Sequence, residues 1–316
     1  MPYPPPQAIV QAARRGSGKL HRYAEQKDLE HLRALLADYA GVPDRHIVAG
    51  PGSDMLLREI LHSFSGGRKV VMPSPNFLPT VHAARRFAAR QVSIRLSAPE
   101  FHLTPEILLE ELEDPALVII DNPNNPTGKA LLERRTVEAV LANSGTLLVI
   151  DEAYFEFSGV SFAILVRNHP NLAITRTLDK AFSLAGARIG YLIAGQLFLE
   201  GLSSFQSSLP RASLQAAVEA LSSPSYMRKN AGLIIEERER LLRETAALGA
   251  EVYASAANFL LVHTRRPEIA AQLEERGVLV ADISSQLAPG HIRVSVGTSS
   301  ENDAFIAAYE DIVKNS

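Results

Sequence analysis

The chain has 316 residues, with 32 Lys and Arg against 35 Asp and Glu, and a net charge of −3. Such a balance gives no bulk attraction to nucleic acid or to an anionic membrane. It has no cysteine, which excludes disulfides, thiolate metal sites and cysteine nucleophiles. The opening MPYPPPQAIV has neither the basic nor the apolar region of a secretion signal, and the apolar runs are too short to span a bilayer, so a soluble, cytoplasmic protein is expected.

Residues 1–22 are expected as an N-terminal arm, the Pro cluster and the basic RRGSGKL reading as extended chain. A helical period begins near Lys27 (Leu29, Leu32, Leu35, Leu36) and stops near Gly41 and Pro43. Short apolar runs then appear at His46–Ala49, Val70–Met72, Val92–Leu96, Leu117–Ile120, Leu147–Ile150, Leu172–Thr175 and Ile189–Ile193. Stretches of helical length separate most of them, such as Met55–Phe64, Pro105–Leu112 and Leu131–Ala142. That alternation predicts an α/β fold with a mostly parallel sheet buried on both faces. After about residue 200 the rhythm changes. Two helices are expected over 211–248, then strand-like NFLLVHT, a helix at Ile269–Arg276, a strand HIRVSVG and a closing helix Asn302–Val313. The expected organisation is a large domain over 23–200 and a smaller α+β domain over 201–316, with the active site in the cleft between them.

Two motifs are decoys. Gly16-Ser-Gly-Lys19 lacks the upstream glycine and the following Ser/Thr of a phosphate loop, and Gly50-Pro-Gly52 lacks the third glycine of a dinucleotide fingerprint. The nine histidines show no ligand spacing, and no metal is expected.

Four other segments carry chemistry. Gly52-Ser53-Asp54 follows a strand and opens a helix, where free N–H groups can cradle a phosphate; taken alone it reads more readily as a capped glycine turn. The loop from Asp121 through Asn125 to Gly128 follows a buried strand, at the end of a parallel sheet where ligands bind; Asn, Pro and Gly also simply make turns. Asp151 closes the apolar run LLVI, where an unpaired carboxylate is expensive, so a cationic or protonated partner is expected unless the side chain is a surface group. Lys180 lies in TLDKAFSLAGARIGY, whose small and apolar setting disfavours the ammonium and suits an amine nucleophile; Arg188, eight residues on, offers a fixed cation for an anion.

In this order the segments resemble the fold-type I pyridoxal 5′-phosphate (PLP) enzymes of the class I/II aminotransferase family, most of all histidinol-phosphate aminotransferases. The resemblance runs over nearly the whole chain: PYPPP, HRY at 21–23, GSD, PNNPTG, DEAYFEF, KAFSLAGARIGY, ANFLLV at 257–262 and IRVSVGT at 292–298. It implies the PLP-dependent transferase fold, with a seven-stranded type of sheet. Residue by residue, it implies that Lys180 forms the Schiff base and moves the proton, and that Asp151 pairs with the pyridine nitrogen. Asn125 and Tyr154 would bind the 3′-oxygen, and Phe77 would stack on the ring. Gly52, Ser53, Asp54, Thr177 and Arg188 would frame the phosphate. Tyr23 would reach that phosphate from the neighbouring subunit of a homodimer. Arg293, Asn258 and Tyr3 would bind the substrate, an amino donor or a 2-oxo acid acceptor.

The chain departs from the family's pattern at three places. Asp179 precedes the lysine where Ser is usual, Thr80 replaces an aromatic, and Ala281 ends the strand expected in GVLVA, where a second anion-binding arginine is usual. With one arginine lost, weaker selection of a phosphate ester is expected, unless Arg211 in SLPRAS compensates. Two other functions fit the same motifs: a threonine-phosphate decarboxylase-like reaction, and a non-catalytic binding or regulatory protein that keeps the fold.

Overall fold

The computed structural model describes residues 1–112, 114–205 and 208–314. Strands β1 (Ile47–Gly50), β2 (Lys69–Ser74), β3 (Arg90–Arg95), β4 (Ala116–Asp121), β5 (Leu147–Asp151), β6 (Leu172–Thr177) and β7 (Gly190–Ala194) form one sheet in the order β1-β7-β6-β5-β4-β2-β3. The pairings from β6 through β3 are parallel, while β7 runs antiparallel to both β6 and β1. All seven apolar runs read from the sequence are strands, and the sheet is mostly parallel as expected.

Burial on both faces follows from the period of two. Leu117, Ile119, Leu147 and Val149 point to one side, where they meet Leu57, Ile60 and Leu61 of α3 (Ser53–Phe64). Val118, Ile120, Leu148 and Ile150 point to the other, into a core that continues through Leu32 and Leu36 of α2 (Gln26–Ala40). Four further helices accompany the large sheet: α4 (Leu78–Phe87), α5 (Pro105–Leu109), α6 (Arg134–Ala142) and α7 (Phe155–Ser158). After β7 come α8 (Gln196–Gly201), α9 (Arg211–Ser222) and the long α10 (Ser225–Ala247).

A second sheet is antiparallel, in the order β10-β11-β9-β8, from β8 (Glu251–Val252), β9 (Phe259–His263), β10 (Ala281–Asp282) and β11 (His291–Ser295). It is joined by α11 (Ile269–Glu274) and α12 (Ser299–Lys314). The start of α12 is a capping box: Glu301 N donates to Thr298 Oγ1 at 3.3 Å, and Thr298 N donates to Glu301 Oε2 at 2.7 Å. The apolar core runs without a break from the large sheet into this second one.

Two expectations need correction. The first residues are not extended: α1 (Gln7–Ser17) is a helix that packs against α9. Ile9, Ala12 and Gly16 form its buried stripe. At Gly16 a Cβ would stand 2.6 Å from the Arg211 carbonyl oxygen, so the glycine of the decoy phosphate loop permits helix contact. In GVLVA the strand begins only at Ala281, and residues 278–280 are irregular chain that lines a cavity.

Candidate active site

Register brings the acidic residues together. Asp121 and Asp151 are paired at the ends of β4 and β5, and Asp151 is paired with Thr175 on β6. The Thr175 hydroxyl donates to Asp151 Oδ1 at 2.8 Å. Asp151 is buried, and burial pushes its carboxyl up to about 6 against the help of that hydrogen bond. A cation or a protonated nitrogen beside it would reverse that shift.

Asp121 does a different job. Its Oδ2 accepts from Asn125 N at 2.7 Å and its Oδ1 from Asn124 Nδ2 at 2.8 Å. Asn124 Oδ1 in turn accepts from the Thr127 hydroxyl at 2.6 Å, and Asn122 Oδ1 from Leu132 N at 3.0 Å. Asn122 and Asn124 therefore shape the loop. The Asn125 side chain faces the cavity, where its Nδ2 donates to the Tyr154 hydroxyl at 3.4 Å and its Oδ1 accepts from Arg293 Nη1 at 2.7 Å. The loop reaches the second sheet's unit as well, since Ala256 N donates to Gly128 O at 2.7 Å.

Beneath the site lies a buried network that sequence reasoning missed. Arg176 donates to Glu152 Oε2 through Nε at 3.0 Å and Nη2 at 2.8 Å, and its Cζ sits 3.6 Å from the Phe155 ring centroid. Ser161 also donates to Glu152, at 2.9 Å. Both charges are hydrogen-bonded, which is what a charge removed from water requires. Its signal in the sequence was slight: one arginine within an otherwise apolar and hydroxyl-bearing strand.

One cavity of about 120 Å³ is lined by Ser53, Asp54, Phe77, Asn125, Asp151, Tyr154, Thr177, Lys180 and Arg188, with Asp121, Ala153 and Asp179. Lys180 Nζ lies 5.8 Å from the Tyr154 ring centroid, and burial pulls its amine below the ordinary lysine range. Arg188 adopts φ 52°, a left-handed conformation that costs about 1–3 kcal/mol. It is held by ion pairs to Asp54 and to Asp179. Gly52 (φ 95°) leads into α3, and a Cβ there would stand 2.5 Å from Arg188 Nη2. At Gly190 a Cβ would stand 2.3 Å from Ser53 N, so only glycine lets β7 approach the helix start this closely.

A larger cavity adjoins it, lined by Lys180 and Asp179 together with Asn258, Val280, Val294, Glu301 and Asn302. Arg293 bridges toward Asn125 from β11, and Ala281 is its direct cross-strand partner. Three residues singled out in the sequence lie elsewhere. Tyr3 packs against the core and lines neither cavity, although Met1 and Pro2 line the larger one. Tyr23 is 85% exposed and borders a surface cavity with Arg211. Arg211 does not reach the site in its own chain: Nη1 donates to Tyr23 O at 2.7 Å, and Nη2 lies 3.5 Å from Asp28 and 3.7 Å from Glu25. Two carboxylates stand beside it, so within its own chain it does not supply the compensation expected of it.

The cavity fits PLP. A buried carboxylate that calls for a protonated partner, an amine whose charge burial disfavours, and a helix N-terminus beside an arginine match a pyridine nitrogen, an aldehyde and a phosphate.

Residues 1–308 match the family model for aminotransferases of class I and II. A histidinol-phosphate aminotransferase of Sulfurisphaera tokodaii is 36% identical over 323 residues, covering 99% of this chain and 88% of the relative. The solved histidinol-phosphate aminotransferase of Sinorhizobium meliloti, in complex with pyridoxal 5′-phosphate, superposes with a TM-score of 0.88 at 26% identity, over 99% of this chain and 89% of that one. That of Clostridium acetobutylicum shares the fold, with a TM-score of 0.90 at 22% identity over 100% and 98% of the two chains. The chain belongs to the class I and II aminotransferases, enzymes of PLP-dependent transamination.

Proposed function

We propose that this aminotransferase moves the amino group of histidinol phosphate to a 2-oxo acid such as 2-oxoglutarate. The curated relatives support the donor: those of Sulfurisphaera tokodaii and its kin carry that activity in their names. The observation that carries the chemistry is the pairing of a buried Asp151 and a charge-disfavoured Lys180 on one cavity wall.

When bound, PLP supplies an electron sink for the pair left behind as a bond at the amino-bearing carbon breaks. Each role of the protein follows from its own residues. The Asp151 carboxylate holds a proton on the ring nitrogen. Lys180 Nζ would hold the cofactor, and as a free amine it would take and return the proton at the donor's amino-bearing carbon. Asn125 and the Tyr154 hydroxyl bind the 3′-oxygen, and Phe77 covers the ring. The backbone N–H groups of Ser53 and Asp54 at the start of α3, with Gly52, Thr177 and Arg188, hold the phosphate. Arg293 takes the substrate's anionic group and Asn258 lies beside it. Tyr3 acts at most indirectly, by seating the residues ahead of it.

We also propose a homodimer in which Tyr23 enters the partner's phosphate site. Its exposure and the anchoring of its carbonyl by Arg211 support an element built to act outside its own chain. The large and small domains are assigned to 23–200 and 201–316, after an N-terminal arm of 1–22 that carries a helix. A cytoplasmic location suits the enzyme; among the described residues no helix is long and apolar enough to cross a membrane.

The test is a donor screen with 2-oxoglutarate that reads glutamate formation, run beside CO₂ release from phosphothreonine. Glutamate formed fastest from histidinol phosphate is expected. CO₂ release without glutamate would replace transamination by decarboxylation, and a faster unphosphorylated donor would replace the substrate.

A further inference from the structure

Arg188 is shared between two carboxylates. Its Nη2 lies 2.5 Å from Asp54 Oδ1, and its Nη1 is bonded to Asp179 Oδ2. The two acids are held differently. Asp54 stands in the first turn of α3, where the helix dipole favours a negative charge even without Arg188. Its side chain is 38% exposed, against 7% for Asp179. Asp179 is hemmed in, with Oδ1 buried and without a hydrogen-bond partner. The hydroxyl beside it is committed, since Thr177 Oγ1 accepts from Asp179 N at 3.0 Å and donates to Ile189 O at 3.3 Å. Asp179 also lines both cavities, so it stands where the cofactor and substrate spaces meet.

Arg188 and Lys180 are the cations in the cofactor cavity's lining, and Lys180 is the group that takes the aldehyde. An arriving phosphate dianion therefore meets one guanidinium that already answers two carboxylates. Asp179 is 7% exposed, so a like charge set beside it is screened less than at the surface and repels it more strongly. One carboxylate has to yield Arg188. Asp54 can turn into solvent, whereas Asp179 is enclosed, so the Asp179 charge stays beside the arriving phosphate and competes with it for Arg188.

We propose that Asp179 is a resident counter-ion of Arg188 which the cofactor's phosphate must displace, and that it weakens the enzyme's hold on that phosphate. Without cofactor, Asp179 neutralises Arg188 and holds its guanidinium in place. With cofactor, it subtracts from phosphate binding and leaves the aldehyde and ring contacts untouched. A serine or asparagine at this position would present a hydroxyl or amide to the phosphate in place of a charge.

The test compares two ligands that differ only in the phosphate. Full-length protein stripped of cofactor is titrated with PLP and with pyridoxal, in wild type, Asp179→Asn and Asp179→Ser, following absorbance and checking the fold by circular dichroism. In both variants the Kd for PLP is expected to fall about tenfold, equivalent to about 1.4 kcal/mol, while the Kd for pyridoxal stays within twofold. Inorganic phosphate should also compete against PLP more strongly in the variants. A structural loosening would move both ligands together, and that result overturns the proposal. So does a PLP affinity that is unchanged or weaker in the variants. A wild-type chain that binds neither ligand would overturn the cofactor assignment along with it.

Discussion

Asp151 and Arg293 are held in opposite ways. Asp151 ends a fully buried strand at the middle of a seven-stranded sheet, with Asp121 in register on one side and Thr175 on the other. Arg293 stands on a five-residue strand whose outer neighbour has two residues, and its Nε is buried without a partner. Its fixed contacts are one hydrogen bond to Asn125 and the Phe259 ring, 5.2 Å from its Cζ. The proposed cofactor end is therefore set by the sheet itself, and the proposed substrate end by one side chain reaching across from a small sheet. Changes at the first should abolish chemistry; changes at the second should retune selection.

The largest expected effect is at Lys180. Lys180→Ala should lower transamination by about 10⁴-fold, the upper end of what a positioned proton-transfer group supplies. Borohydride treatment of wild type should fix the cofactor to this residue. An adduct mapped to Lys19 or Lys129 instead would break the assignment of the cofactor end.

Asp151→Asn comes next. Loss of a charge aimed at the ring nitrogen should cost about 10²–10³-fold in turnover, the scale on which removal of one electrostatic partner acts, with cofactor still bound. The same substitution has a second, opposite readout. Asp151 has its pKa raised from 3.8 to about 6 by burial. An acid whose pKa rises on folding holds its proton more tightly in the native chain, so the stability it contributes is present at low pH and lost as pH climbs through about 6. Cofactor-free Asp151→Asn should therefore melt several degrees above cofactor-free wild type at pH 7–8, a gain on the order of 1–3 kcal/mol. The two should converge near pH 4. Glu156, raised to about 8, is common to both proteins and cancels in that difference, whereas Asp121, raised to about 7 in part by the Asp151 charge, is relieved in the variant and adds to its gain. Equal melting curves at every pH would show that Asp151 carries no burial penalty.

The same contrast governs what the sequence reveals. Asp151, Asn125, Lys180 and Arg188 were legible because each sits at a strand end or in a tight turn, where local chemistry restricts the residue types. The strands were legible because seven apolar runs leave little choice but burial on both faces. The helix over Gln7–Ser17 was not: its stripe of Ile9, Ala12 and Gly16 is thin, and it forms against α9, a partner some 200 residues away. Nor was the part played by Asp121, which reads as one more loop residue until its two oxygens are seen to hold Asn124 and Asn125. The seating of Arg211 on Tyr23, Glu25 and Asp28 likewise depends on long-range packing that no local pattern encodes.

The smallest and most selective effect is expected at the substrate end. Ala281 and Arg293 face each other across β10 and β11, so a long cation at position 281 would lie beside the existing guanidinium. Directly opposite residues on antiparallel strands have Cβ atoms about 4.5–5.5 Å apart, within reach of one phosphate for two flexible arginines. A single guanidinium grips a carboxylate in a fork, whereas a phosphate dianion gathers further cations. Arg293→Ala should then cost about 1.5–3 kcal/mol in kcat/KM, a charged hydrogen bond's worth, for every anionic donor. Ala281→Arg should raise kcat/KM for histidinol phosphate about tenfold over that for its unphosphorylated analogue, with kcat for the latter little changed. The gain enters through KM, because the new cation binds the donor's far end equally in ground and transition states. If wild type already strongly prefers the phosphate ester and Ala281→Arg leaves that preference where it was, the second charge comes from another residue. The exposed Tyr23 loop of a partner copy, with His21 and Arg22 beside it, is then the place to look.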